Sequence, residues 1–130
     1  MLEGARGVPI APRTIPDSRL PTRPGPDVAK ELGGRYLLRY LLPHQVGDFR
    51  FGSDKRHYAT PTPYAPEETV SWLYLPSPAQ ARCFVMLLDP SRILEIQGPR
   101  WVRLGKGIEY VLPKGFKREA IVGGWELEVT

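Results

Sequence analysis

The chain has 130 residues, a formal net charge of +4 and a single cysteine. This length suits one domain with one hydrophobic core, and the lone cysteine excludes a disulfide framework or a cysteine-rich metal site. Lysine and arginine are scattered rather than clustered, which does not favour nucleic-acid binding, and no apolar stretch is long enough to span a membrane. We therefore expect no metal and no membrane contact.

The first 26 residues are rich in proline. Prolines at positions 9, 12, 16, 21, 24 and 26, together with the lack of a periodic apolar face, predict an extended linker for residues 1–26. The alternative is an N-terminal arm that packs on the domain through Val8, Ile10, Ile15 and Leu20. Residues 27–130 are then the single domain.

A short helix and a strand are predicted next. The segment "PDVAKELGG" favours a helix with Asp27 as its N-cap and the glycine pair at 33–34 as its end. The following "RYLLRYLL" predicts a strand in which Arg39 shares a face with Leu37 and Leu41.

Prolines limit the predicted elements in the middle of the chain. Residues 44–56 are polar and predict a loop, and "HYATPTPY" is extended only briefly, because Pro61 and Pro63 lack the N–H that a strand would use. The segment "APEETVSWLYL" at 65–75 favours a second helix, with acidic residues in its first turn.

The rest of the chain predicts short strands. We assign them to 83–88, 92–96, 101–104, 108–112 and 125–129, separated by "DPS", "QGPR", "GKG", "PKG" and "VGG". The predicted class is α+β, with a mainly antiparallel β-sheet core and one or two short helices.

Three features supply chemistry. Arg39 lies on a predicted core-side face and needs an anionic partner, Thr60 and Thr62 offer hydroxyls on a stiff backbone, and Glu109 begins a strand beside a two-glycine turn. Singly, each residue fits an ordinary structural role. If the two strands pair nearby, Arg39, Thr60 and Glu109 line one pocket.

Arginine, hydroxyls and glutamate in this order resemble the pattern of the ADP-ribosyltransferase superfamily. The resemblance covers about residues 35–116 and rests on "YLLRYL", "YATPTP" and above all "GIEYVLPKGF". The segment "GKGIEY" is also similar to the secreted NAD glycohydrolase toxin domains of bacterial polymorphic toxins. Gly107 stands where arginine-modifying transferases carry Glu or Gln, so arginine is not the expected acceptor.

The resemblance implies an ADP-ribosyltransferase-like fold and NAD as substrate, without a metal. Glu109 would stabilise the ribose oxocarbenium ion and Arg39 would bind the diphosphate. The implied substrate-binding residues are Tyr58, Thr60, Thr62, Tyr64 and Arg103, with Arg100 as another candidate for a phosphate contact.

The resemblance also implies a biological setting. The chain would be a toxin domain of a secreted or delivered effector that hydrolyses NAD in the target-cell cytoplasm, and a cognate immunity protein would block its site. One alternative is a mono-ADP-ribosyltransferase that modifies a non-arginine protein side chain or nucleic acid. The other is a non-enzymatic, protein-binding β-rich module. Convergence of Arg39, Thr60 and Glu109 in one cleft separates the enzymes from the module.

Overall fold

The computed structural model describes residues 16–41, 45, 47, 51–63, 84–102 and 107–126. Over these residues the fold is α+β with antiparallel strand pairs, which confirms the predicted class. The elements are β1 (Thr22–Pro24), α1 (Gly25–Glu31), β2 (Leu37–Leu41), β3 (Gly52–Ser53), β4 (His57–Ala59), β5 (Phe84–Leu88), β6 (Glu95–Trp101), β7 (Ile108–Leu112), β8 (Phe116–Lys117) and β9 (Ile121–Glu126). The helix predicted at 65–75 lies outside the described residues.

The strands form three sheets. Their orders are β1-β6-β7-β4, β2-β5-β9 and β3-β8. The first two sheets meet where Leu38 and Thr60 exchange backbone hydrogen bonds of 2.8 and 3.0 Å. This bridge places the strand that carries Arg39 beside the end of β4.

The main core lies between α1 and the inner faces of the sheets. Its largest members include Leu37, Leu41, Leu88, Ile96, Tyr110 and Leu112. Alternate residues of β2, Leu38 and Tyr40, pack with Val85 in a second, smaller cluster. Strand β2 is therefore covered on both faces, and a strand of this kind has an apolar residue at nearly every position. No helix in the described part of the chain is long and apolar enough to cross a membrane.

Helix α1 begins earlier than the sequence predicts. Its N-cap is Pro24 and Asp27 lies within the first turn, so the prediction of Asp27 as the N-cap is wrong. The first helical residue must be a glycine, because a Cβ at Gly25 would lie 1.9 Å from the carbonyl oxygen of Ile93. Pro26 fits the first turn, where no N–H donor is needed.

The N-terminal segment packs on the sheet wherever the structure describes it. Residues 16–26 form a 3-10 turn (Asp17–Arg19), β1 and the start of α1. Leu20 is buried, and β1 pairs with β6. The alternative of a packed arm therefore holds for 16–26, and the extended linker does not; residues 1–15 lie outside the described residues.

Two predicted chain breaks are continuous strands. The "QGPR" segment lies inside β6 and the "VGG" segment inside β9. A glycine is needed at 124 because a Cβ there would lie 2.6 Å from the carbonyl oxygen of Val85 on the neighbouring strand. In both places glycine serves a close backbone approach rather than a turn.

Candidate functional site

The site is built on the face of β7 that points away from the main core. Tyr110 and Leu112 pack in that core, so the alternation of a strand turns Glu109 and Val111 to the opposite face. Tyr58 of β4 pairs with Val111 and lies on this same face. Glu109 and Tyr58, both predicted site residues, thus share one surface.

A β-bulge brings Arg100 to Glu109. Gln97 pairs with Val111 and Arg100 pairs with Glu109, so β6 has one residue more than β7 over this stretch. Without the extra residue, Gln97 and Arg100 would point to opposite faces; with it, both lie on the Glu109 face. Gly98 makes the bulge feasible, because its φ is 119° and a Cβ there would lie only 3.2 Å from the carbonyl oxygen of Glu109.

Among the residues that the structure describes, Arg100 is the centre of a cluster of five, which we call the Arg100 cluster. Its members are Asp17, Arg56, Tyr58, Arg100 and Glu109. The Arg100 Nε donates to Glu109 Oε2 at 2.8 Å, and its Nη1 donates to Asp17 Oδ1. The guanidinium carbon lies 5.6 Å from the centroid of the Tyr58 ring. Arg56 Nη1 and the Tyr58 hydroxyl both donate to Asp17 Oδ2.

The two carboxylates of the cluster have opposite pKa shifts. Burial raises the pKa of Glu109, and the hydrogen bond and charge of Arg100 oppose that shift without cancelling it. Burial also acts to raise the pKa of Asp17, but hydrogen bonds from Arg56 and Arg100 outweigh it and the net shift is downward. The Glu109 side chain is only 14% exposed, which accounts for the weight of burial there.

Arg39 does not join this cluster. It lies between Leu37 and Leu41 on β2, whose side chains are in the main core, so Arg39 is on the core-facing side of its strand. Its Nη1 donates to the carbonyl oxygen of Tyr58 at 2.7 Å. Glu109 faces away from that core, and the structure does not bring Arg39 and Glu109 into one pocket. The expectation that Arg39, Thr60 and Glu109 line a single cleft therefore fails in this geometry.

The two threonines are placed differently. Thr60 is fully buried, and its hydroxyl donates to the carbonyl oxygen of Ile108 at 2.9 Å. A buried hydroxyl in this position braces the residue before Glu109 rather than contacting a ligand. Thr62 is exposed, and its N–H donates to Thr60 Oγ1 at 3.3 Å. Of the other predicted binding residues, Tyr64 and Arg103 lie outside the described residues.

His57 is a core residue of β4. Its ring lies 5.3 Å from that of Phe116, and its Nε2 is 2.8 Å from Ser53 Oγ. Burial, with smaller effects from Arg39 and Lys55, lowers the pKa of His57 to about 4. A neutral, buried ring of this kind does not serve as a general acid at neutral pH.

Two members of the cluster, Asp17 and Arg56, were missed by sequence reasoning. Asp17 lies in a segment that proline content assigned to a linker, and Arg56 lies in a predicted loop. The sequence suggested Arg100 only as a phosphate contact. The usable signal was the unusual "QGPR" itself, because a glycine inside an otherwise strand-like pattern also indicates a bulge.

A separate open cleft of about 1070 Å³ lies between β3, β8 and the segment 91–95. Phe51 and Leu94 on its rim are 63% and 72% exposed. None of the predicted site residues that the structure describes lines it, and no member of the Arg100 cluster does, so the cleft is distinct from that cluster. Among the described side chains there is no group of three or more His, Cys, Asp or Glu that could hold a metal ion.

The chain was compared with protein-family models, curated proteins and solved structures. No protein-family model matches the chain, and no curated protein or solved structure matches it. A functional assignment therefore rests on the residues of this chain.

Proposed function

We propose that the chain cleaves the nicotinamide-ribose bond of NAD and that Glu109 is the carboxylate that meets the ribose cation. The observation that carries this proposal is the largely buried Glu109, with its raised pKa, beside Arg100 and Tyr58 at the end of a strand. Carboxylates whose pKa is shifted by burial beside a specific charged neighbour are enriched at functional sites. The motif resemblance around "GIEYVLPKGF" supplies the reaction class.

In the proposed reaction, the bond between ribose C1′ and the nicotinamide nitrogen breaks, and its electron pair leaves with nicotinamide. The ribose carries oxocarbenium charge, which the Glu109 carboxylate stabilises. Water then attacks C1′ and loses a proton, giving ADP-ribose. Transfer to a non-arginine side chain or to nucleic acid differs only in the attacking nucleophile.

Arg100 takes over the role that the sequence assigned to Arg39 in this proposal. Arg100 is on the Glu109 face, whereas Arg39 is on the core side and binds a backbone carbonyl. The Thr60 hydroxyl, bonded to Ile108, would act as a positioning group for the strand that carries Glu109. As a toxin domain, the chain would require an immunity protein that covers this face.

The experiment is to incubate the purified chain with NAD and to measure nicotinamide and ADP-ribose together. Equal amounts of both products indicate hydrolysis, and a deficit of ADP-ribose in the presence of a candidate acceptor indicates transfer. Glu109→Gln, purified identically, controls for contaminating enzymes, and Glu119→Gln, at an exposed carboxylate, controls for the loss of one charge. No nicotinamide release by the folded wild-type chain would refute the proposal.

A second candidate is the non-enzymatic binding module. Two observations favour it. Arg39 and Glu109 do not converge in one cleft, whereas convergence is the arrangement expected of the enzymes. The cleft lined by the exposed Phe51 and Leu94 also favours it, because exposed large apolar side chains beside a concave surface are typical of protein-binding sites. A folded but inactive wild-type chain would favour this candidate over NAD cleavage.

A further inference from the structure

Three donors among the described residues, two on strands β4 and β6 and one just before β4, converge on a single carboxylate of the arm. Arg100 Nη1 binds one oxygen of Asp17, and Arg56 Nη1 and the Tyr58 hydroxyl bind the other. Guanidinium forks and hydroxyls are the donors that proteins use for phosphate groups, with Arg favoured where two oxygens are bound at once. The donor set therefore suits an oxyanion larger than a carboxylate.

Two of the three donors, Arg100 and Tyr58, have contacts that hold them in place without Asp17. Arg100 is 7% exposed and is also fixed by its Nε bond to Glu109 and by the Tyr58 ring. Tyr58 belongs to a strand that pairs with β7. If the Asp17 side chain moved away, the largely buried guanidinium of Arg100 would lose a carboxylate partner beside the Tyr58 hydroxyl, and the exposed Arg56 side chain would remain close enough to join a new anion.

The arm, in turn, is held in place without the Asp17 side chain. Leu20 is buried, Thr22 pairs with Gln97, and Gln97 Nε2 donates to the carbonyl oxygens of Asp17 and Leu20 at 3.0 and 3.2 Å. The carboxylate can therefore be displaced while β1 stays in the sheet. Asp17 is thus a replaceable occupant of the donor set.

We propose that Arg56, Tyr58 and Arg100 form a binding site for a phosphate or diphosphate group, which Asp17 occupies in the free chain. Asp17 is an internal competitor, so the ligand must displace it and binds more weakly than the donor set alone would allow. The site rests in part on the proposed function, which gives Arg100 the diphosphate role, but binding of pyrophosphate is measured without any catalytic activity and so can succeed where NAD cleavage fails. Its relation to Glu109 through Arg100 would place a bound diphosphate next to that carboxylate.

The test is calorimetric titration with inorganic pyrophosphate, and with inorganic phosphate in a second arm. Asp17→Ala removes the competitor, and we expect it to bind pyrophosphate at least about tenfold more tightly than the wild-type chain. Asp17→Asn replaces it if Asp17→Ala does not fold, because Asn keeps the size of the side chain and removes its charge. Tighter binding of pyrophosphate than of phosphate would identify a diphosphate site, and equal binding a single-phosphate site.

Two further variants separate a site from general charge attraction. Adding Arg56→Gln to the Asp17 variant should weaken binding at least about tenfold, and since Arg56 is partly exposed this change should leave the fold intact. Arg92→Gln is the matched control, because Arg92 is exposed and pairs with Asp89 away from the cluster; it should change binding less than about twofold. The proposal is overturned if the Asp17 variant binds pyrophosphate no better than wild type, or if Arg92→Gln weakens binding as much as Arg56→Gln.

Discussion

The strand pair β6–β7 carries an ion network on each of its two faces. On the core side, Arg23 binds Glu31 with two hydrogen bonds of 3.0 and 3.1 Å, and the hydroxyl of Tyr110 donates to Glu31 at 2.7 Å. On the other face lies the Arg100 cluster with Glu109. Both networks tie the arm to the sheet, yet they place their carboxylates in opposite electrostatic conditions.

The difference between the two networks is seen in the pKa shifts of their glutamates. Hydrogen bonds from Arg23 and Tyr110 lower the pKa of Glu31, whereas burial raises the pKa of Glu109 despite its arginine. Glu31 is 41% exposed and loses little hydration; Glu109 is largely buried and must share Arg100 with Asp17. A carboxylate whose charged form is favoured by its hydrogen bonds contributes to stability. A carboxylate whose charged form is disfavoured by burial is a better candidate for catalysis.

The two networks should differ most in the loss of unfolding free energy when the arginine of each, Arg100 or Arg23, is replaced. Arg100→Gln leaves Glu109 largely buried without its cation and should cost about 3–5 kcal/mol in free energy of unfolding. Arg23→Gln breaks a partly exposed pair and should cost about 1 kcal/mol. Urea unfolding at neutral pH measures both, and equal costs would remove the distinction between the faces.

Acid should act through His57, on the core-facing side. The folded-state pKa of His57 is about 4, below its ordinary 6.5, so only the unfolded chain takes up the proton between these values and stability falls as pH falls through that window. We expect a loss of about 2 kcal/mol between pH 7 and pH 5. The raised pKa of Glu109 acts in the opposite direction, because the folded chain takes up that proton more readily.

Unfolding free energies at several pH values check this response. His57→Gln should flatten the profile between pH 7 and pH 5, and Glu109→Gln should remove the opposing contribution wherever Glu109 titrates. A profile that His57→Gln leaves unchanged would show that another group governs the acid response.

The smallest contrast concerns two tyrosine hydroxyls. Tyr110 is buried and its hydroxyl donates to Glu31, so Tyr110→Phe should cost about 1–2 kcal/mol. Tyr58 is exposed with a 3.3 Å bond to Asp17, so Tyr58→Phe should cost less than about 0.5 kcal/mol. Thermal unfolding of the two variants measures both costs. A larger loss of stability for Tyr58→Phe than for Tyr110→Phe would contradict the stabilising role given to the Glu31 network.

The sequence predicted the elements whose pattern is local. The strand 108–112 agrees with β7 in full, and the strand around Arg39 and the short helix before it were found to within a few residues. These segments combine a clear apolar pattern with glycine or proline at their ends.

Features that depend on distant contacts were not predicted. The bulge in β6 exists because Gly98 passes close to β7, and a single-strand pattern does not contain that neighbour. It also decides that Arg100 rather than Arg39 meets Glu109. The packed arm was only the alternative to a linker for a related reason: Leu20 is an isolated apolar residue among prolines, and its burial depends on a sheet formed about 75 residues later.

The most direct measurement compares NAD turnover of Glu109→Gln with that of Glu31→Gln, since each variant removes one arginine-paired carboxylate, Glu109 on β7 and Glu31 at the end of α1 on the other side of the sheet. We predict that Glu109→Gln lowers nicotinamide release by about a hundredfold or more while the protein stays folded. Glu31→Gln should lower the free energy of unfolding and leave turnover within about threefold of wild type. Full turnover by a folded Glu109→Gln variant would contradict the assignment of Glu109 as the catalytic carboxylate.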